Sequence, residues 1–406
     1  MGSIIRTQRK LLNFTQEQAC VGICSTPYLS KLENNSIRPN DEILMLLCER
    51  LDLDLKQFQT VDRTKYNELL DEYYEALLFR REAVIQRKFS EIQEEMESFH
   101  FEQKQLFKLY YINDLLRRDL LEKAEGVLGE LEQYRDAFSE YQKYHYYKVK
   151  AIYHLKHKQL EESLIMFKKA EKLVKEATTF EPDFYYYCAI AYSRTQQYFR
   201  SIENLNKALD FYKKYIQIDS ITNCHLLLGI NYLLLHEYDF AEQQFNITLD
   251  VSSTQNKPGM RAKILHNLGY LKYKQGHFQQ SIELLKESLN LKGYTKLSLN
   301  TLYLLSVVKM KINKNMSEEF NRGKMLAENE GNLEYQYKFK VLELELKGTL
   351  TEKENVQFLV KDILPYYKSN CDRDDYRDLI SKIANIYEEN GSYKNAAYYY
   401  KICLTI

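Results

Sequence analysis

Five side chains suited to gripping a polyanion fall within a single stretch of seven residues: Ser25, Thr26, Tyr28, Ser30 and Lys31. Hydroxyls and an ammonium group bond to base edges and phosphates, and the major groove of DNA admits one helix that can carry them. Gln16 stands at the start of a preceding short helix, where its side chain and backbone N–H are expected to meet a phosphate. Asn34 closes the same segment. A second constellation lies far downstream and has different chemistry. Asn223, Asn267 and Asn300 occur on amphipathic helical stretches with His266, Tyr186, Tyr270, Tyr303 and Arg194. A carboxamide donates and accepts at once, so it pairs with extended peptide backbone as a neighbouring strand would. Basic residues on the same face, including Lys148, Lys156, Lys263, Lys274 and Lys311, suit a peptide carboxylate. Double-stranded DNA and a short peptide are therefore the expected ligands.

Other chemistries lack their residues. The chain has no phosphate-cradling Gly-x-x-x-x-Gly-Lys, no Gly-x-Gly-x-x-Gly, no His-Glu-x-x-His and no nucleophile elbow. His154 and His157 share a helix face, but two ligands without a third do not make a metal site. No cofactor, metal or catalytic residue is expected. The seven cysteines, Cys371 among them, are scattered, and the close pair Cys20 and Cys24 reads as small core side chains. With no apolar leader at Met1–Arg6, they read as reduced thiols in a cytoplasm. Apolar runs such as Leu226–Leu235 are too short to span a bilayer, so no membrane partner is expected.

The elements that position these groups are helical. The 406 residues include only 5 Pro and 13 Gly, against 35 Tyr and 19 Phe, and strand signals are nearly absent. Acids and bases balance at 57 each, so DNA binding rests on a local motif rather than on overall charge. Residues 1–62 read as a five-helix module. Ile4–Leu12 form its first helix, and Thr15 with Gln18 makes a capping box for the second. Gly22-Ile23-Cys24-Ser25 is a tight turn, and Thr26 is expected to cap a third helix with Pro27 at its first position. Asn34-Asn35-Ser36 ends that helix; a fourth covers Glu42–Leu51 and a short fifth lies near Leu55–Gln59.

Further along, the chain repeats. Tetratricopeptide repeats are helix pairs of about 34 residues that carry small side chains where the paired helices cross. The triplets Ala151/Ser163/Ala170, Ala189/Ser201/Ala208, Gly229/Ala241/Thr248 and Gly269/Ser281/Ser288 fit, stepping by 38, 40 and 40 residues from Ala170 to Ala208, Thr248 and Ser288. Ala384, Tyr387, Gly391, Tyr393, Ala396, Tyr400 and Cys403 make a last unit. Residues 299–330 and 335–370 read as two degenerate units, and 66–100 and 104–134 as two more helix pairs. The expected fold is all-α: a helix-turn-helix domain (1–62), a helical bundle of degenerate repeats (63–140) and a right-handed peptide-sensing solenoid (141–406).

Thr15-Gln16-Glu17-Gln18, Gly22-Ile23-Cys24-Ser25 and Tyr28-Leu29-Ser30-Lys31-Leu32-Glu33-Asn34 resemble the XRE-type helix-turn-helix. Its fusion to these repeats resembles the RRNPP family of peptide-responsive quorum-sensing regulators, in its NprR- and PlcR-like form. The resemblance covers nearly the whole chain. It implies an ion pair between Arg9 and Glu33, and a homodimer whose DNA binding or assembly changes with a signalling peptide. His266-Asn267-Leu268-Gly269 matches the family pattern in which an Asn before Leu-Gly anchors the peptide backbone. In the third repeat Leu227-Leu228-Gly229 departs from that pattern, which leaves Asn223 as the second candidate. Two alternatives stay open. A Rap-like role would bind a response regulator through residues 66–140 and promote its dephosphorylation, with Gln86, Gln93, Gln103 or Gln105 as candidates to orient water. A phage regulator of lysis and lysogeny would share this architecture and differ in its targets.

Overall fold

In the computed structural model, residues 1–58, 64–174, 181–254, 257–370 and 373–405 are described. Cys371 and Gln59, both assigned above, lie outside the described residues. Every regular element among the described residues is helical. They group into two compact units, Met1–Cys188 and Ala189–Ile406.

The first unit opens with α1 (Gly2–Leu11), α2 (Gln16–Cys20), α3 (Thr26–Glu33) and α4 (Asp41–Arg50), followed by a 3-10 turn at Leu55–Phe58. Their apolar faces converge on Ile5, Ala19, Leu29, Leu32, Leu47 and Leu51. The Thr15 and Gln18 capping box forms as the spacing predicts. The third helix departs from expectation. Ser25, not Thr26, is its cap: Ser25 is extended (φ −79°, ψ 151°) and its side chain accepts from the Tyr28 N–H. Thr26 is already helical and Pro27 follows it. The turn between α2 and α3 passes through Gly22 at φ +75°, a conformation that a side chain resists.

A bundle follows: α5 (Thr64–Leu78), α6 (Glu82–Glu95), α7 (Phe101–Arg117) and α8 (Leu121–Glu132). Tyr66, Leu70, Tyr73, Leu77, Ile92 and Phe107 fill the core around α5 and α6. Two features join the bundle to the N-terminal module. Phe101 packs against the module's core, and α1 rests against the 3-10 turn Arg135–Ala137.

The repeat pairs begin with α9 (Glu140–Lys156) and α10 (Leu160–Val174), and α11 (Pro182–Arg194) crosses the division between the units. Lys148 corrects the sequence reading. It was expected on the groove face, yet its side chain is fully buried, with Nζ 2.6 Å from Glu181 Oε2 and 2.9 Å from Tyr74 Oη. The Tyr144 hydroxyl donates to the same carboxylate oxygen (2.7 Å). Burial opposes ionisation of Glu181, but Lys148 and His145 beside it outweigh that and hold its pKa at about 2. His145 is pushed down to about 3, chiefly by burial. Lys156, also expected on that face, pairs with Asp119.

The second unit continues with α12 (Tyr198–Lys214), α13 (Ile218–Leu234), α14 (Tyr238–Thr254), α15 (Pro258–Lys274), α16 (Phe278–Lys292), α17 (Leu299–Lys311) and α18 (Ser317–Asn329). Next come α19 (Leu333–Leu346), then α20 (Lys353–Phe358) running through a π-helical turn at Leu359–Ile363 into α21 (Leu364–Asn370). The chain ends with α22 (Arg373–Glu389) and α23 (Tyr393–Thr405). The small residues sit where the spacing puts them, at close helix crossings. A Cβ on Gly229 would overlap the Phe245 ring. In three repeats the small residue of the second helix is a serine that donates to the carbonyl of the small residue of the first: Ser163 to Ala151 (2.9 Å), Ser201 to Ala189 (2.8 Å) and Ser281 to Gly269 (2.7 Å). Each buried hydroxyl is thereby satisfied without widening the crossing.

Candidate functional sites: a reading helix and a repeat groove

The reading helix α3 is braced from behind. Arg9 on α1 grips the Glu33 carboxylate with two nitrogens, Nε at 2.5 Å and Nη2 at 3.0 Å. Its Nη1 donates to the Phe14 carbonyl (2.7 Å). Both residues are buried, so the pair fixes α3 against α1 with the planar geometry that guanidinium and carboxylate share. Gln16 joins this brace, its amide nitrogen donating to Glu33 (2.8 Å). The nitrogen of Gln16 is thus held inside the module, whereas the sequence reading sent the side chain to a phosphate.

On the opposite side, Ser25, Lys31 and Asn34 are exposed and Tyr28 and Ser30 half-buried. Thr26 turns its hydroxyl toward Cys20 Sγ (3.4 Å), and Asn34 accepts from Arg6 (3.5 Å). The structure therefore brings all of the candidate DNA contacts onto α3 and its caps, with Gln16 beside them. One positioning residue escaped the sequence reading. Arg50, at the end of α4, donates to the Gln18 and Val21 carbonyls, each at 3.2 Å, and so ties down the end of α2. Nothing local in the sequence marks it, because its partners lie 32 and 29 residues away.

In the second unit the candidate groove residues divide. His266 and Asn300 meet: His266 Nε2 lies 3.4 Å from Asn300 Nδ2, and its Nδ1 lies 3.1 Å from Thr301 Oγ1. Burial, with Lys292 nearby, pushes the His266 pKa down to about 3, so the ring is neutral. Asn267 is half-buried, and its amide nitrogen bonds back to the Lys263 carbonyl of its own helix (2.9 Å). Tyr270 stacks against Tyr273, with ring centres 6.3 Å apart, and Lys274 lies 5.3 Å from the centre of the Tyr270 ring. Tyr303 packs edge-on against Phe339. Asn223 is half-buried on α13. Tyr186 and Arg194 are both on α11, the first in one unit and the second in the other.

Several charged groups that sequence reasoning missed complete this face. Lys338 on α19 bonds to Asp375 and Glu334, each at 2.9 Å. Burial works against its ammonium, but Asp375, Tyr335 and Glu334 prevail and raise its pKa. Gln196 donates to Asp374 Oδ1 at 2.6 Å and accepts from Arg377 at 3.1 Å. Tyr198 reaches Asp374 Oδ2 at 3.5 Å. Asp378, on the same helix as Asp374, is exposed, and desolvation by its neighbours raises its pKa.

The chain resembles known proteins over nearly its whole length. A family model described as Helix-turn-helix matches residues 5–58. The Transcriptional activator NprA of Geobacillus stearothermophilus is 29% identical over 399 residues, covering 94% of this chain and 97% of that protein. Among solved structures, the apo form of the quorum sensor NprR from B. thuringiensis superposes with a TM-score of 0.72 at 23% identity, covering 84% of this chain and 99% of that one. NprR in complex with its cognate peptide NprX superposes with a TM-score of 0.67 at 21% identity, covering 86% and 99%. The chain is similar to the activator NprA over nearly its whole length, and it shares the fold of NprR. Response regulator aspartate phosphatase I of Bacillus subtilis (strain 168) is also similar, 23% identical over 354 residues, covering 82% of this chain and 88% of that protein. Among the described residues, no helix is long and apolar enough to cross a membrane.

Proposed function

We propose that this chain is a member of the RRNPP family, a cytoplasmic transcription regulator that binds a DNA operator through α3 and a short signalling peptide through its repeats. The observation that carries this reading is the exposed polar face of α3, held by the buried Arg9–Glu33 pair, in a chain similar over nearly its whole length to NprA. The division of labour follows: residues 1–62 read DNA, 63–140 couple, and 141–406 sense peptide. The working unit is a homodimer, since paired reading helices match the two half-sites of an operator. Peptide binding shifts the populations of dimer states, and a preference of about 1–3 kcal/mol for one state is enough for control.

The test is a titration of purified protein with DNA from its own promoter region, with and without peptides from neighbouring short reading frames. Specific DNA binding that a peptide alters supports the reading, and Asn267→Ala is expected to weaken the peptide while leaving DNA binding of the free protein intact. Peptide binding without DNA binding at moderate salt would overturn it. That outcome would favour a second reading, supported by the similarity to phosphatase I, in which residues 66–140 bind a response regulator. The chain would then act on its partner's phosphate without a catalytic residue of its own. Gln103 suits that role poorly, since its amide is already spent on the His100 N–H and Asn67.

A further inference from the structure

Lys292, the last residue of α16, has an unusual environment. Its ammonium donates to Asn300 Oδ1 (3.1 Å) and Thr301 Oγ1 (2.7 Å), both neutral oxygens at the start of α17. An ammonium carries three protons, so one remains. The other charge that acts on it is a second cation, Lys263 on α15. Burial and Lys263 together press its pKa down to about 8. Lys263, His266 and Asn300 are the same residues whose spacing puts them on the inner face of the repeats. His266 is bonded to both Asn300 and Thr301, and this fixes their orientation. A half-buried cation that faces another cation, with no acid beside it among the described residues, is costly unless an anion arrives.

We infer that Lys292, assisted by Lys263 and oriented by Asn300 and Thr301, forms a carboxylate subsite of the groove that holds a carboxylate group of the bound peptide. This rests on the peptide-sensing reading and names the chemistry that the reading left open. The subsite is built for one negative oxygen pair. Lys292 supplies its remaining N–H, Lys263 supplies field, and the neutral His266 ring adds no charge. Two sources share this chemistry: the peptide's C terminus and an acidic side chain.

The test uses the full chain with reductively methylated lysines, following the Lys292 methyl resonance by NMR and assigning it by its loss in Lys292→Arg. The probes are N-acetyl-glycyl-glycine with a free carboxylate, the same dipeptide as its amide, and N-acetyl-aspartic acid amide. A free carboxylate is expected to shift the resonance saturably and raise its titration midpoint, and the dipeptide amide is not. Preference for the free dipeptide assigns the subsite to a C terminus, and preference for the aspartate probe assigns it to an acidic side chain. In unmethylated protein followed by calorimetry, Lys292→Met is expected to weaken the preferred probe at least tenfold, with Lys292→Arg retaining it. Affinity is expected to fall as pH rises through about 8, because Lys292 loses its proton there while the His266 ring stays neutral. An equal response to carboxylate and amide, or no response to either, would overturn the subsite. Carboxylate binding in a protein whose DNA affinity no peptide changes would uphold the subsite and sink the sensing reading instead.

Discussion

Gln196 and Asp374 lie 178 residues apart in the chain, and their side chains are 2.6 Å apart. Arg377 and Tyr198 reinforce the contact, so the connection between α11 and α12 is tied directly to α22. Repeat arrays ordinarily transmit force only between neighbours. Here the second unit has a shortcut between its beginning and its end. Asp374→Ala removes the acceptor for both Gln196 and Tyr198. The expected result is a broader distance distribution between spin labels on α12 and α23, and faster peptide association with DNA binding by the free protein unchanged. Distances and rates equal to the parent's would show that the contact holds nothing closed.

The buried Lys148–Glu181 pair predicts an asymmetric mutational response. Lys148→Met strands a carboxylate among Tyr144, Tyr74 and His145, and is expected to cost about 3–5 kcal/mol. The double substitution Lys148→Met/Glu181→Leu is expected to recover most of that loss, because the unpaired charge is gone. Chemical denaturation of both variants checks this. A double mutant no better than the single one contradicts it.

The same cluster predicts sensitivity to acid. The His145 pKa falls from 6.5 to about 3 in the folded chain, so below pH 6.5 the unfolded chain binds a proton that the native one refuses. Glu181 falls from 4.5 to about 2, so its contribution is complete above pH 4.5 and is lost as pH falls toward 2. Both effects remove stability on acidification, beginning near pH 6.5. Each proton accounts for at most about 1.4 kcal/mol per pH unit. His145→Phe keeps the ring among its aromatic neighbours and removes the first loss. Its denaturation midpoint is expected to be flatter than the parent's between pH 6.5 and pH 5.

Gly229→Ala is expected to destabilise the second unit by about 1–3 kcal/mol, since the added methyl overlaps Phe245 at a packed helix crossing. Thermal unfolding measures it, and a neutral substitution would mean that α13 and α14 part more easily than their packing implies.

Lys31 is exposed on α3, and as a proposed phosphate contact it would add to the salt dependence of DNA binding. Lys31→Ala is expected to lower the slope of log affinity against log salt by about 0.9. An unchanged slope would remove Lys31 from the phosphate contacts.

What was legible in the sequence was local. The Thr15 and Gln18 cap forms because the residues that make it are three apart. The small residues of the repeats are likewise legible, since their spacing reflects the distance between paired helices. Ser25 and Thr26 were harder, because both carry hydroxyls ahead of Pro27 and backbone conformation alone decides which one caps. Lys148 shows where periodicity fails. It has the spacing of a groove residue, but Glu181, 33 residues on, draws it inside. The Gln196–Asp374 tie left no trace in either stretch: Gln196 sits in the turn between α11 and α12, Asp374 fits the pattern of α22, and nothing local links residues 178 positions apart.

The packing of α1 on Arg135–Ala137, with Phe101 packed against the helix-turn-helix core, bears on how such a molecule measures DNA. A reading head on a slack tether samples many spacings and gives up entropy each time both heads engage. A head seated on a mount behaves like one jaw of a caliper. In the proposed homodimer the gap between jaws would be set by the bodies that carry them, and an operator of the wrong spacing would be rejected by geometry before any base is read.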